Sequence, residues 1–448
     1  MDPKKLIKKP FGKKAIEFYA TYAAEDVATE IDKSLELIAR SSGILFTPED
    51  DLEAKIKETV SKEQFDALLQ DFVMNRLAPF VINAEDNLVI ATDPICSSNE
   101  IPKADKDFTF TIRVLIKPKV TLESYEPVKI KMPIRPITQE EIDQQFDQII
   151  AMTTTYEPND DQTATVELGD FIKINLRTFD DKGEELKGLT GDERLLQLDY
   201  GFMPKDFVNQ IIGMKVGDSK EFEFKAPRDF GEENENTEYD IYKSTVEVLE
   251  FQHQVVPTLT DEFVKENVPG FDTYAELEQN IRNYVEQQHI QADEQYKSML
   301  VDAANAERFK GGVDDEIYEV TAQNIVRQMR MQLSTEGKTI NDFMKEQDID
   351  EQTFNMQIML QARDVVRQGF ALDAIYNERF GELKDEDIDK AFKAISQKNP
   401  EDVKQDFIES GRWFSILEVA KRLKAHNWLM RTAEVETFEM PENPQIQQ

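Results

Sequence analysis

Few residues in this 448-residue chain have the types and spacings that covalent chemistry needs. The three histidines, His253, His289 and His426, lie far apart and Cys96 is the lone cysteine, so no Cys/His set has metal-ligand spacing and no internal disulfide can form. The segment Glu-Gly-Lys-Thr at 336–339 has the tail of a phosphate-binding loop, but the glycine needed five residues before Gly337 is Gln332. Neither Gly-x-Gly-x-x-Gly nor Gly-x-Ser-x-Gly occurs. Paired acids such as Asp180/Asp181, Glu184/Glu185 and Glu232/Glu233 have the right type for acid–base work, yet in a chain with 89 acids they read first as solvated faces. No metal, cofactor or nucleotide is expected.

Two regions suit non-covalent recognition instead. Residues 202–224, FMPKDFVNQIIGMKVGDSKEFEF, combine a Pro-led turn, one apolar helical turn, two glycines and an alternating strand, an arrangement that presents a surface. Farther along, Met329, Met331, Met356 and Met359 are interspersed with Gln and Arg. Unbranched thioethers adapt to unlike partners, so these four read as a polypeptide-binding surface, with ordinary core packing as the competing reading.

The elements that must position these residues fall into sections. Residues 1–135 mix strands and helices: KAIEFYATY alternates, Val27, Ile31, Leu35 and Ile38 recur at helical spacing, as do Phe65, Leu68, Leu69, Phe72 and Val73, and FTFTIRVLIKP with YEPVKIKMP reads as a pair of strands. Residues 136–156 form a helical connector opened by a Thr138/Glu141 capping box. Residues 157–253 carry short alternating runs, an Asp-Lys-Gly turn, one short helix and 8 of the 17 glycines, which makes a small β domain. Residues 254–448 read as helical almost throughout, with a Thr273/Glu276 capping box and two long stripes: Ile317, Thr321, Ile325, Met329 and Leu333, then Phe354, Ile358, Ala362, Val365, Gly369 and Leu372. The fold class is α+β multidomain, with an α+β N-terminal domain, a small antiparallel β domain and an elongated all-helical C-terminal domain.

Composition narrows the partners. Against 89 acids stand 53 basic residues, and a formal charge of −36 disfavours DNA, RNA and anionic membrane surfaces on average. No 18-residue apolar stretch occurs to span a membrane, and no apolar run follows the Lys-rich N-terminus as in a secretory signal. With a single cysteine, the reading is a cytoplasmic protein. Lys4, Lys5, Lys8, Lys9, Lys13 and Lys14 form a basic arm that reads as a solvated tail or as a contact for an anionic partner.

Gly169-Asp170, Asp181-Lys182-Gly183, Met203-Pro204 followed by Phe207, then GMKVGDSKEFEF and APRDFG come in an order and spacing that resemble the FKBP-type prolyl isomerase fold. Flanked by the α+β section and by VPTLTDEFVKENVPGFDTYAELEQNIR, they make the chain resemble the trigger factor family of nascent-chain chaperones over residues 14–435. The resemblance implies a proline pocket at Leu176, Leu186, Met203, Phe207, Phe230 and Ser244. Such a pocket needs little acid or base, because the barrier of about 18–20 kcal/mol comes from amide resonance and an apolar cup disfavours the polar planar amide. Leu176, Leu186 and Ser244 stand where the family leads one to expect aromatic rings, and Lys205-Asp206 replace a single glycine, so these residues either fill the domain's core or form a weak isomerase pocket.

The family also docks on ribosomes through a Gly-Phe-Arg-x-Gly-Lys-x-Pro loop, and the corresponding SGILFTPED, residues 42–50, lacks both basic residues. A ribosome contact through Lys4, Lys5, Lys8 and Lys9 is the substitute. The expected function is an ATP-independent chaperone for unfolded or nascent polypeptides with weak prolyl isomerase activity. The rival is a non-catalytic protein dedicated to one partner.

Overall fold

The computed structural model describes residues 1–12, 14–85, 88–201, 203–227, 239–335 and 337–439. It divides into two compact units, one of residues Met1–Ile134 with Ala292–Gln448 and one of Arg135–Gln291.

The first unit opens with strand β1 (Lys5–Phe11), every residue of which is exposed. The lysine arm is therefore not a solvated tail: its backbone pairs antiparallel with β2 (Ala15–Tyr22) from Lys5↔Thr21 to Phe11↔Ala15. Ladder hydrogen bonds need no buried side chain, which is why hydropathy conceals such an edge strand. β2 buries Ala15, Phe18, Ala20 and Tyr22. Two helices follow, α1 (Ala24–Ser41), which buries Val27, Ile31, Leu35 and Ile38, and α2 (Leu52–Thr59), whose first turn is capped by the Asp51 carboxylate. The long α3 (Lys62–Asn83) starts at a complete Ser61/Gln64 capping box. Strands β3 (Ile95–Ser97) and β4 (Phe108–Leu115) complete a four-stranded sheet in the order β1-β2-β4-β3. Helices α1 to α3 and the sheet bury one core that includes Phe18, Tyr22, Ile38, Phe65, Leu77 and Phe110.

Beyond it come the two-residue β5 (Thr121–Leu122) and β6 (Lys129–Ile134). Both segments expected as a strand pair are strands, but β4 and β6 do not pair with each other.

The second unit begins with α4 (Gln139–Thr153), whose Thr138/Glu141 capping box is present as read. Then follow β7 (Thr155–Pro158), β8 (Phe171–Phe179), β9 (Gly191–Gln197), the short α5 (Lys205–Ile211), β10 (Ser219–Pro227) and β11 (Tyr239–Val255). They form an antiparallel sheet in the order β10-β11-β8-β9, with β7 on β11. The Asp-Lys-Gly turn after β8 is real: Gly183 takes φ +82°, and the Asp180 carboxylate accepts from the backbone N–H of Lys182 and Glu184. α6 (Asp261–Asn267) and the start of α7 (Tyr274–Glu307) pack on α4 through Ile142, Phe146, Val264, Leu277 and Ile281. At the start of α7 the box is offset by one residue, since the Glu276 N–H donates to Thr273 Oγ1 while the Glu276 carboxylate accepts from the Asp272 N–H.

The remaining elements belong to the first unit: β12 (Phe309–Lys310), which pairs with β5, then α8 (Asp315–Thr335), α9 (Ile340–Glu346), α10 (Glu351–Arg379), α11 (Asp385–Ile395), α12 (Pro400–Glu409), α13 (Trp413–Thr432) and β13 (Glu434–Glu439). The C-terminal section is thus not wholly helical. β13 pairs in parallel with β6, Lys129↔Glu434 through Ile134↔Glu439, and Lys129–Glu434 and Lys131–Glu436 ion pairs at 3.0 and 3.4 Å run along the seam. Leu122, Val128 and Ile130 share a core with Val301, Ile375 and Leu429. On α10 the buried stripe runs Phe354, Ile358, Ala362, Val366 and Phe370, and the expected Val365 is exposed; the buried positions step by four residues, so the stripe slants round the helix, whereas a strict 3.6-residue repeat counted from 354 reaches 365. Among the described residues, no helix is long and apolar enough to cross a membrane.

Candidate functional site

The β domain builds its inner face by alternation. β8 turns Ile172, Ile174, Leu176 and Thr178 inward, β11 adds Ser244, Val246 and Val248, and β10 adds Phe222 and Phe224. α5 covers that face with Phe207, Val208 and Ile211. Phe207 is 1% exposed, and its ring meets Phe222 and Phe224 edge-on at centroid distances of 5.6 and 5.1 Å. That is the geometry of a core anchor. Met203 is half-buried against the same cluster, Leu176 is buried within it, and Leu186 is half-buried on the far side of the Asp-Lys-Gly turn, its N–H donating to the Thr178 carbonyl at 2.8 Å. Phe230 lies outside the described residues. The structure therefore gathers Leu176, Met203 and Phe207 in one cluster and does not bring Leu186 into it.

Ser244 is fully buried, and its hydroxyl meets that of Thr178 at 2.7 Å. Thr178 Oγ1 also donates to the Leu189 carbonyl at 3.2 Å, so Ser244 is the donor within the pair. Thr178 was not expected at this site. Its signal lies in the alternation of FIKINLRTF, where it is the one polar residue in phase with Ile172, Ile174 and Leu176. A cleft of about 380 Å³ beside the turn is lined by Phe179, Asp180, Glu221, Glu223, Tyr242 and Lys243, and none of the expected pocket residues lines it.

The four methionines divide evenly. Met329 and Met359 are half-buried in the cluster that joins α8, α9 and α10, whereas Met331 and Met356 are 59% and 58% exposed. At the end of the Glu-Gly-Lys-Thr segment, Thr339 caps the seven-residue α9, its hydroxyl accepting from the Asp342 N–H.

Near the N-terminus, SGILFTPED joins α1 to α2. Asp50 is folded back, accepting from the Thr47 N–H at 2.6 Å and pairing with Lys55 at 2.8 Å, and these contacts, Lys55 foremost, hold its carboxyl down to about 2. Lys4 pairs with Asp107, Lys8 with Glu85 and Lys14 with Asp314, while the Lys9 ammonium stands over the Tyr19 ring at 4.8 Å. No group of three or more His, Cys, Asp or Glu suited to a metal occurs among the described residues.

A five-stranded antiparallel sheet covered by one short helix, set in a chain with an α/β N-terminal region and a helical C-terminal region, defines a multidomain protein with an FKBP-like domain. Residues 162–253 match the model of the FKBP-type peptidyl-prolyl cis-trans isomerases. Residues 4–149 match the bacterial trigger factor protein model and residues 273–431 the model of its C-terminus, more than half of the chain between them. The chain belongs to the trigger factor family. Similar relatives include the trigger factor of Clostridium kluyveri, 27% identical over 67% of this chain and 69% of that one, and that of Halothermothrix orenii, 27% identical over 79% and 80%. The trigger factor of Staphylococcus saprophyticus is 24% identical over 86% of this chain and 88% of its own. A solved structure described as showing promiscuous substrate recognition by the trigger factor chaperone covers 95% of this chain at a TM-score of 0.43 and 15% identity, too loose a likeness to add weight.

Proposed function

We propose that this protein is an ATP-independent cytoplasmic chaperone that holds unfolded or nascent polypeptides, and that its FKBP-like domain binds proline-containing stretches and isomerises them slowly. The observation that carries the reading is the order of family matches, trigger factor models on both sides of an FKBP-type model within one chain. The rival, a protein devoted to one partner, has no comparable support.

Exposed Met331 and Met356 offer adaptable apolar surface, and each client Leu or Phe fully buried against such surface contributes roughly 1.5–3 kcal/mol. Several weak contacts suffice for holding, and release follows mass action once the client buries its own core. In the β domain, Met203 and Leu186 are the expected pocket residues still partly open to a ligand. Leu176 and Phe207 are packed in the cluster that Met203 borders, and the buried Thr178–Ser244 pair lies on β8 and β11, two of its strands. That packing keeps water out of the cup, while few aromatic faces remain to grip a proline ring, hence the slow turnover. Any ribosome contact falls to Lys4, Lys5, Lys8 and Lys9, because the 42–50 loop offers Glu49 and a paired Asp50.

The test is aggregation of two unrelated denatured proteins, recorded together with proline-limited refolding of a third. Suppression of both aggregations with a modest acceleration of refolding is the expected result. Suppression of one client alone would overturn the general-chaperone reading, and suppression without acceleration would remove the isomerase part.

A further inference from the structure

We propose that the client surface on α8 and α10 selects apolar segments that carry acidic side chains, against the sign of the chain's own charge. The inference rests on the chaperone reading above and adds the class of client.

The chain holds 89 acids in 448 residues, yet from Val320 to Thr335 α8 has two arginines and no acid, and from Gln352 to Leu372 α10 has two arginines and Asp364 alone. On α10, Met356, Leu360, Arg363 and Arg367 follow one another at intervals of four, three and four residues, which places them on one helical stripe. The stripe points outward, because Phe354, Ile358, Ala362 and Val366 occupy the buried side and Met356 and Leu360 are 58% and 53% exposed. On α8, Arg330 and Met331 are exposed in the same way.

The arginines of this surface are unspent. Among the described residues, Arg330, Arg363 and Arg367 have neither a carboxylate partner nor a hydrogen bond, whereas Arg40, Arg76, Arg113, Arg177, Arg282 and Arg422 each have a carboxylate. Arg363 and Arg367 lie over the rings of Tyr318 and Phe309 at 5.6 and 5.9 Å, which steadies the guanidinium groups and leaves their N–H forks unfilled. Arg327 instead lines a separate cleft with Asp71 and Asp93.

Which charge wins is decided by distance. Interactions are screened over about 8–10 Å at physiological salt, so a segment lying on the stripe feels the two guanidinium groups, with Asp364 the one acid among them, more than the net charge of the whole chain. An apolar segment with Asp or Glu beside its Leu or Phe thus satisfies both halves of the stripe, and a Lys-flanked segment is repelled by it.

The experiment measures binding of three fluorescein-labelled peptides to the full-length protein by anisotropy. They share a Leu/Phe-rich centre and differ in flanks of Asp/Glu, Gln or Lys. With one or two exposed charge contacts at stake, the acidic peptide is expected to bind about three- to tenfold tighter than the Lys peptide, with the Gln peptide between. Arg363→Gln/Arg367→Gln should weaken the acidic peptide alone, and Arg330→Gln, whose side chain stacks on no ring among the described residues, should do so in part. Raising salt from about 50 to about 300 mM should narrow the spread. Equal binding of all three, or tighter binding of the Lys peptide as the net charge of −36 would favour, overturns the selectivity and leaves the chaperone reading standing. Failure to bind any peptide, with no suppression of aggregation, overturns both. Self-association of the peptide-free protein in sedimentation that is lost in the double variant, with no acidic preference, would make this face an interface between copies and overturn the client assignment.

Discussion

Thr178 and Ser244 share a buried hydroxyl–hydroxyl hydrogen bond of 2.7 Å across β8 and β11, in the layer where the family leads one to expect an aromatic ring. Replacing Ser244 by Ala removes the donor but leaves Thr178 its bond to the Leu189 carbonyl, so no buried donor is orphaned. The expected cost is about 0.5–1.5 kcal/mol. Urea unfolding of the β domain measures it, and a loss well above that range would mean that the pair supports more than the local sheet.

Phe207 carries far more of the domain. Its ring is almost fully buried between Phe222 and Phe224, so Phe207→Ala should destabilise the domain by about 3–5 kcal/mol. A drop in isomerase activity of that variant would then report unfolding. Met203→Ala and Leu186→Ala change half-buried side chains, and are expected to lower catalysis of proline-limited refolding several-fold with little change in the denaturation midpoint. Unchanged catalysis in both would exclude them from the pocket.

This division marks how far a sequence carries. FIKINLRTF announces a half-buried strand by alternation, and Thr138 with Glu141 announces a helix start, because local physics decides both. Residue type does not say whether an aromatic such as Phe207 lines a cup or fills a core, since the same ring serves either and only the packed neighbours differ. Nor was β13 legible: its six residues are all exposed, and its partner β6 lies about 300 residues earlier, so pairing depends on the packing of Leu122, Val128 and Ile130 against the late helices. The strand of β1 was hidden for the same reason, with no buried side chain to betray its ladder.

In the first unit Lys117, Asp373, Glu418 and Arg422 form a charge network that ties the segment after β4 to α10 and α13. Arg422 holds Asp373 through two bonds of 2.9 Å, and Lys117 bridges Asp373 at 2.9 Å and Glu418. Burial pushes both carboxyls up, but Arg422 and Lys117 outweigh it for Asp373, and Lys117 for Glu418, leaving each below its ordinary value of 3.8 or 4.5. A depressed carboxyl contributes stability that is present above the unfolded value and lost as pH falls through the folded one. The unit should therefore hold a constant melting temperature down to about pH 4.5 and lose it steeply below. Asp373→Asn leaves Lys117 with one partner and Arg422 with none in the network, at a cost of about 2–3 kcal/mol, below the full value for a buried pair because Glu418 remains and Arg422 is partly exposed. Its melting curve should also lose part of the acid dependence. An identical dependence in the variant would place the acid-labile groups elsewhere.

The lysines of the N-terminal arm are not equivalent, and that permits a test of ribosome contact without removing β1. Lys4 and Lys8 are engaged with Asp107 and Glu85, so an RNA phosphate would have to compete for them. Lys5 is exposed with no ion pair among the described residues, and Lys9 has only the Tyr19 ring. Deleting the arm would strip β2 of its partner and confuse lost contact with lost structure. Lys5→Gln/Lys9→Gln keeps the ladder and removes two cations. If these two meet phosphates, co-sedimentation with ribosomes should weaken, and the slope of log affinity against log salt should shrink by roughly 1.4–1.8. Pelleting that is salt-dependent but unaltered by the double variant would reject Lys5 and Lys9 as the contact and leave it to Lys4 and Lys8, whose ion pairs RNA would have to displace.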